Sequence, residues 1–500
     1  MTHPIQYIWL AIYLFALLAL FFYGINCYVL MFFYWRRRGQ ASKRYGAVKA
    51  AYLRRTAPED WPRVSVQLPI YNERYVVQRL IEAVCRLDYP KSLLEIQILD
   101  DSTDDTVQIA QAVAARMKQQ GFDIVYLHRQ DRSGFKAGAL KAGLGRAKGE
   151  LLAIFDADFM PDADFLMETV PYFADPLIGM LQTRWGHING DYSLLTRAQS
   201  MGIDGHFGIE QGARAWNGLF MNFNGTAGVW RKSAIIDAGG WQADTLTEDL
   251  DLSYRAQLNG WKLQFIPDVV CPAEVPVTIN AFKSQQHRWA KGSIQTAKKN
   301  LGRIFKARLP LVTKVQAFLH LTHYMVHPMM LLVVLTSIPM LLYTRLLLHN
   351  WAWPLVVFTL FCLATCGPSS MYVFSQKIIY KDWKKRLKYI PLLMCLGTGI
   401  AVNNTKAVLE ALLNLQSGFI RTPKYGVRVR CDAWRGKCYA IPLSLLSIIE
   451  FLFGLYSLAG LGLFLFFSKY LVSPFLVIYA SGFFYVFFLS VKQGYGKRQA

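Results

Sequence analysis

Apolar runs long enough to cross a lipid bilayer stand at both ends of this chain, and a long polar stretch lies between them. That segregation excludes one continuous globular core. From Tyr7 to Trp35 almost no charge interrupts the sequence, and a bilayer needs about 20 apolar residues to be spanned by a helix. The run stops at Arg36, Arg37 and Arg38 without a small-residue cleavage site, so a retained anchor is expected rather than a cleaved leader. Basic residues that follow a span hold it with its amino terminus outside and the rest of the chain in the cytoplasm. Four further spans are expected at His323–Leu347, Trp353–Ser375, Ile441–Phe467 and Val472–Val491, giving five with the anchor. Ile390–Val402 is too short to cross. The basic stretches on either side of it, 377–388 and 421–435, should both be cytoplasmic. An interfacial segment with an amphipathic helix over Asn404–Leu413 is therefore expected between them.

A formal net charge of +22 over 500 residues is often a sign of nucleic-acid binding. Here the basic residues cluster beside the spans, at 36–44, 298–314, 377–388, 424–437 and 492–498, where they hold cytoplasmic flanks and meet anionic headgroups. No nucleic-acid motif accompanies them, and no nucleic-acid partner is expected. The eight cysteines are scattered; Cys27, Cys362 and Cys366 sit in apolar spans, and Cys431 and Cys438 lack zinc-ligand spacing. All read as reduced packing residues.

After the anchor, a basic and polar linker is expected to about Pro62. Short β-branched runs then alternate with helical patterns: Val64–Ile70, Glu95–Leu99, Asp123–Leu127, Glu150–Phe155 and Ile178–Gln182, with helices such as Tyr75–Leu87 and Thr106–Gln119 between them. Such alternation predicts an α/β fold with a mainly parallel sheet, which binds ligands beyond the carboxyl ends of its strands. Those ends are polar. The first runs into Pro69, Tyr71, Asn72 and Glu73; the second into Asp100, Asp101, Ser102, Thr103 and Asp104; the fourth into Asp156, Ala157 and Asp158. Any one of these acids could simply cap a helix, but three strand ends turned to one crevice are harder to explain that way. Asp156 and Asp158, one residue apart on extended backbone, would project together and could share Mg²⁺ or Mn²⁺ with substrate phosphates. The stretch Gly134, Lys136, Gly138, Gly143 lacks the Gly-Lys-Ser/Thr of a P-loop.

Farther on, NGTAG (Asn224–Gly228) predicts a small-residue turn where backbone can approach a ligand. Thr247 is expected to cap a helix carrying Glu248, Asp249 and Asp251 in its first turn and stopping at Asn259-Gly260. The helix dipole would hold those carboxylates as anions, ready to accept a proton. In a helix over Asn280–Asn300, Gln285, Arg288 and Trp289 of QQHRW share a face, while Gln286 and His287 point elsewhere. A guanidinium that forks onto phosphate and an indole that stacks on a sugar suit a sugar diphosphate. A basic amphipathic helix resting on a membrane is the structural alternative.

The ordered series LDDSTD, KAGAL, FDADF, QTRW, NGTAG, TEDLDL and QQHRW resembles the family 2 inverting glycosyltransferases. It is most similar to cellulose-synthase-like enzymes such as glucomannan or mannan synthases and xyloglucan-backbone glucan synthases. The likeness covers about Val64–Lys299 closely and implies a cytoplasmic GT-A domain over 37–310. That domain would lie between an anchor at 1–36 and a transmembrane region at 311–500, whose gating-like loop falls within about 388–440. It implies that Pro69, Tyr71, Glu73, Asp100, Asp101, Lys136, Asp156, Gln285 and Arg288 bind the nucleotide sugar, and that Asp156 and Asp158 carry Mg²⁺ or Mn²⁺. Asp249, with Glu248 beside it, would be the catalytic base, and Trp289, Gly225 and Thr226 would meet the acceptor. FIRTPKYG is similar to the gating loop of cellulose synthases and adds Phe419, Thr422 and Lys424 to the donor site, although Arg421 replaces an apolar residue and Pro423 is inserted.

The implied activity is a processive inverting β-glycosyltransferase using UDP-glucose or GDP-mannose, extending a β-glycan and passing it through the bilayer. Its membrane would be the plasma (inner) membrane in a bacterium or the Golgi in a eukaryote. A non-processive enzyme making a glycolipid, as ceramide glucosyltransferases do, is the first alternative. A scaffold with a dead transferase domain is the second.

Overall fold

A computed structural model describes residues 4–347, 352–416, 421–434, 436–437 and 444–494. At its centre is a seven-stranded sheet. The strands are β1 Val64–Ile70, β2 Leu94–Asp100, β3 Asp123–His128, β4 Leu151–Ile154, β5 Ile178–His187, β6 Gly228–Arg231 and β7 Lys262–Ala273, in the spatial order β3-β2-β1-β4-β6-β5-β7. Five of them fall where the apolar runs predict. Every residue of β2 is buried, as expected of a strand covered on both faces. One core, with Val66, Leu68 and Ile96, lies under the helices Val77–Val84 and Thr106–Gln119, and a second gathers Leu140, Ile154, Phe223 and Trp230.

The sequence pattern leaves out β6 and β7. β6 has only four residues and runs antiparallel to both β4 and β5, so the sheet is mixed. β7 contains Pro267 and Pro272, which cannot donate to a ladder. Its register against β5 jumps from Thr183–Ile266 to Arg184–Val270, leaving the first proline in a bulge.

The expected linker is instead helix. One unbroken helix runs from Pro4 to Arg55, continuing well past the arginines that end its apolar part. Tyr45, Val48 and Tyr52 form a stripe that packs on the sheet domain's core, and Lys49 pairs with Glu168. No proline or glycine pair interrupts the segment, so the helix stops only near Pro58.

Among the described residues, five helices are long and apolar enough to cross a membrane: Tyr7–Arg55, His323–Leu342, Phe358–Ile379, Leu446–Phe466 and Ser473–Gly494. The first crosses the third closely. A Cβ at Gly24 would sit 2.6 Å from Ala364 Cα, and one at Gly367 would sit 2.1 Å from the Gly24 carbonyl oxygen, the small-residue contact that lets membrane helices approach. The stretch expected at the interface is a bent pair, Trp383–Gly399 and Ala401–Leu412, with 42° between its arms. The second arm buries Ala407, Val408 and Ala411 on Ala290 and Ile294 of the helix Ile279–Lys306.

Candidate active site

The carboxyl ends of β1, β2 and β4 open on one cavity of about 200 Å³, closed from above by the Ile279–Lys306 helix and the segment at 421–424. β1 and β2 are tied at their ends. Asn72 N–H donates to Ser102 Oγ at 2.8 Å, and Asn72 Oδ1 accepts from Thr103 N–H at 2.8 Å. Pro69, Tyr71 and Glu73 line the wall, and the Arg132 guanidinium sits 3.3 Å above the Tyr71 ring. The expected Asp100–Asp101 pair divides. Asp101 lines the cavity, its oxygens taking hydrogen bonds of 2.7 and 2.6 Å from Arg129. Asp100 is fully buried beneath it, accepting from Ser102 N–H at 2.8 Å and from the Tyr126 hydroxyl at 2.5 Å. It orients the loop and does not face the cavity.

Asp156 and Asp158 both line the cavity, but not from extended backbone. The chain turns there, with Phe159 N–H donating to the Asp156 carbonyl at 3.0 Å. The two carboxylates consequently meet different cations: Asp156 pairs with Lys136, from the helix Phe135–Arg146, and Asp158 pairs with Lys424. Asp158 Oδ1 is buried and has no hydrogen-bond partner among the described residues. Among the described residues, no group of three or more His, Cys, Asp or Glu forms a ready-made cation cage.

The NGTAG turn behaves as its small residues require. Gly225 has φ +80°, and a Cβ there would stand 2.9 Å from Asp249 Oδ2 and 3.3 Å from Lys136 Nζ. Its carbonyl accepts from Lys136 Nζ at 2.9 Å. Thr226 is not on the wall; it is buried, with its hydroxyl accepting from Asp156 N–H at 2.9 Å. Its contact steadies Asp156.

The helix Glu248–Leu258 begins where the sequence predicts, but the Thr247 side chain makes no cap bond and stands 3.3 Å from Thr296 Oγ1. Glu248 and Asp249 line the cavity, whereas Asp251 turns away to Arg255, Lys299 and Asn300. The expectation that the helix dipole dominates these acids is not met. Burial, with the Glu248 carboxylate adding to it, pushes Asp249 up to about 7. Burial also raises Glu248. Burial pulls the Lys136 ammonium down, but Asp156, Glu248 and Asp249 together more than offset this and hold it above its ordinary value.

From the Ile279–Lys306 helix, Gln285, Arg288 and Trp289 line the cavity together. Burial lowers the Arg288 guanidinium against the opposing pull of Glu248, Asp156, Asp249 and Asp158. His287 faces the other way, 3.1 Å from Glu410, which also takes Lys291 at 3.0 Å. In the covering segment Thr422 is buried, Arg421 pairs with Glu73 at 2.9 Å and Lys424 with Asp158. Burial pushes Glu73 up to about 8 despite Arg421 and Lys424. Phe419 lies outside the described residues. Arg132, Glu274, Trp185 and His187 also line the cavity. Arg132 lies in the loop after β3, within reach of the strand-end rule, whereas Glu274 follows β7 and would have been found only had that strand been recognised; Glu274 takes Arg79 at 2.8 Å.

Residues 62–292 match the family model described as glycosyltransferase like family 2. The chain is 43% identical over 260 residues to glucomannan 4-beta-mannosyltransferase 1 of Cyamopsis tetragonoloba, which is 51% of this chain and 49% of that protein. It is 43% identical over 269 residues to glucomannan 4-beta-mannosyltransferase 2 of Arabidopsis thaliana, 53% of this chain and 50% of that one. The matches thus span about half the length of these relatives. Among solved structures, the mannosyltransferase PcManGT of Pyrobaculum calidifontis, in complex with GDP-Man and Mn²⁺, is similar with 19% identity and a TM-score of 0.47. That likeness covers 79% of this chain and 100% of PcManGT.

Proposed function

We propose that this chain, whose residues 62–292 form a glycosyltransferase 2-like domain on a GT-A-like mixed sheet, is a membrane-embedded inverting β-hexosyltransferase. It would transfer hexose from a nucleotide sugar on the cytoplasmic side to a growing β-glycan, with the anchor (1–36) and the region 311–500 carrying the product across the bilayer. The observation that carries this reading is the convergence of Asp249, Lys136, Arg288 and the Asp156–Asp158 turn on one cavity.

The roles follow from chemistry. Asp249, held near 7, is poised to take the proton of the attacking hydroxyl, since a general base works best near the operating pH. Lys136 and Arg288 meet the departing diphosphate, whose charge must be neutralised as the bond breaks. Gly225 keeps space in front of Asp249, and Trp289 offers a flat apolar face to the acceptor's last sugar. Tyr71, Asp101 and Arg132 hold the nucleoside end. Carboxylate oxygens on this wall are the donors that a hard divalent cation takes. With Asp158 Oδ1 unpartnered among the described residues, Asp156 and Asp158 fit such an ion. They would hold Mg²⁺ or Mn²⁺, which supplies charge neutralisation to the diphosphate.

The mannosyltransferase relatives make GDP-mannose the first donor to try, beside UDP-glucose. Purified protein incubated with each radiolabelled nucleotide sugar and Mg²⁺ or Mn²⁺ should give a labelled polymer when the product is sized. A single-sugar lipid would point to the glycolipid reading, and no transfer or donor hydrolysis from any nucleotide sugar would sink the assignment.

A further inference from the structure

A second cavity, of about 170 Å³, lies in the elbow where the N-terminal helix leaves its apolar part and meets the sheet domain. It shares no residue with the candidate active site. Tyr34, Arg38 and Ser42 enter it from one stripe of that helix, Arg184 and Asp268 from the bulge between β5 and β7, and Trp216 from the sheet domain. Its remaining wall includes Ile378 and Ile379, the last residues of the apolar helix Ala352–Ile379. Donors thus face apolar side chains across one small space at the level where the N-terminal helix leaves its apolar part and the helix Ala352–Ile379 ends.

The charges are uneven. Arg38 stands over the Tyr34 ring, 6.0 Å from its centroid, and Arg184 uses its Nε–H on the Pro267 carbonyl at 2.9 Å. Both guanidiniums line the cavity, and among the described residues Asp268 is the one carboxylate on its wall. Two cations against one anion leave a formal charge of one. The Trp216 indole N–H is buried and meets the Tyr45 hydroxyl, which itself donates to Gln264. Immediately outward, Phe32 and Trp35 are exposed on the same helix, Trp35 at 78%, as befits side chains that meet lipid at an interface.

We infer that this cavity binds the phosphodiester headgroup of a membrane phospholipid, with acyl chains leaving past Ile378 and Ile379. A phosphodiester carries one negative charge, which matches the excess. Its oxygens suit forked guanidinium donors. Such a lipid would wedge the elbow between membrane helix and sheet domain. The inference rests on the membrane reading of these helices and not on the transferase reading, so it stands or falls separately.

The test uses the full chain in nanodiscs of phosphatidylglycerol, moved into mild detergent and examined by native mass spectrometry. Wild type should keep one phospholipid through the exchange. R38Q/R184Q should bind it roughly tenfold more weakly per guanidinium lost, the usual scale for charge-assisted contacts. Ser42→Phe, which fills the cavity from an exposed position without changing charge, should also lose it, and R38K/R184K should recover part of it. Inorganic phosphate at millimolar concentration should leave the bound lipid in place. Equal retention in wild type, R38Q/R184Q and Ser42→Phe would overturn the proposal. So would displacement by inorganic phosphate alone, which would make this a site for free phosphate.

Discussion

Two pairs of carboxylates line the same cavity under different constraints. Asp156 and Asp158 come from a turn after a strand, and each has a lysine: Lys136 for the first, Lys424 for the second. Glu248 and Asp249 open a helix, are half-buried, and among the described residues form no ion pair with a lysine; desolvation raises both, with the Glu248 carboxylate adding to it at Asp249 and the Asp156 carboxylate at Glu248. The first pair meets ammonium groups that an incoming cation can replace. In the second, Asp249 is held near the point where a proton comes and goes. One cavity can thus supply a charge clamp and a base from the same side-chain chemistry, because the two pairs meet different neighbours.

The comparison breaks most visibly at the first pair. Asp156→Asn or Asp158→Asn is expected to abolish transfer while leaving the circular dichroism spectrum unchanged, and chelation should do the same to wild type. Undiminished turnover in excess chelator would remove the metal from the scheme. Next in size is Asp249→Asn, expected to lose about 10²- to 10⁴-fold in turnover, the range for removing a general base. Its affinity for the nucleoside diphosphate, read by calorimetry, should change little, since the base acts on the proton of the transition state. Arg288→Ala should instead weaken diphosphate binding roughly tenfold or more, because it removes a charge-assisted contact to the phosphates. If Asp249→Asn loses the diphosphate as severely while turning over normally, the two roles have been exchanged.

How much of this was legible beforehand depends on the range of the interactions. β1 to β5 announce themselves through local runs of Val, Ile and Leu, and the strand-end rule then brings Tyr71, Asp101, Asp156 and Asp158 to one place. The face shared by Gln285, Arg288 and Trp289 follows from helical spacing alone. β7 was not legible because Pro267 and Pro272 disguise a strand that a bulge accommodates, and Glu274 was lost with it. The N-terminal helix was cut short at its arginines because charge reads as linker, whereas the stripe of Tyr45, Val48 and Tyr52 acquires meaning only from the core it covers. Arg421 looked like a departure from a pattern until Glu73 stood 2.9 Å away. The environment of Asp249 is the furthest from sequence. A helix start predicts a low pKa, and only the packing of the Ile279–Lys306 helix and the 421–424 segment over it lets burial win.

The smallest expected effect is the most discriminating. Asp249 serves as base only when ionised, and its ionised fraction grows as pH rises through about 7. Wild-type kcat/KM should therefore fall on the acid side with a midpoint near 7, and rise to a plateau above it. Burial is the larger cause of that high value and the Glu248 carboxylate the second. Two neighbouring carboxyls resist ionising together, so replacing one with a neutral amide lets the other lose its proton at lower pH. Glu248→Gln should accordingly move the acid limb below that of wild type, but not as far as the 3.8 of an exposed aspartate, because burial remains. At pH 6 the variant should run at a larger fraction of its own plateau than wild type does. Lys136 pulls Asp249 the other way, so Lys136→Met should shift whatever activity it retains toward higher pH. Opposite shifts from these two variants would tie the limb to Asp249 and its neighbours. A limb that stays put in Glu248→Gln belongs to some other group, and a variant with no activity at any pH would make Glu248 the base.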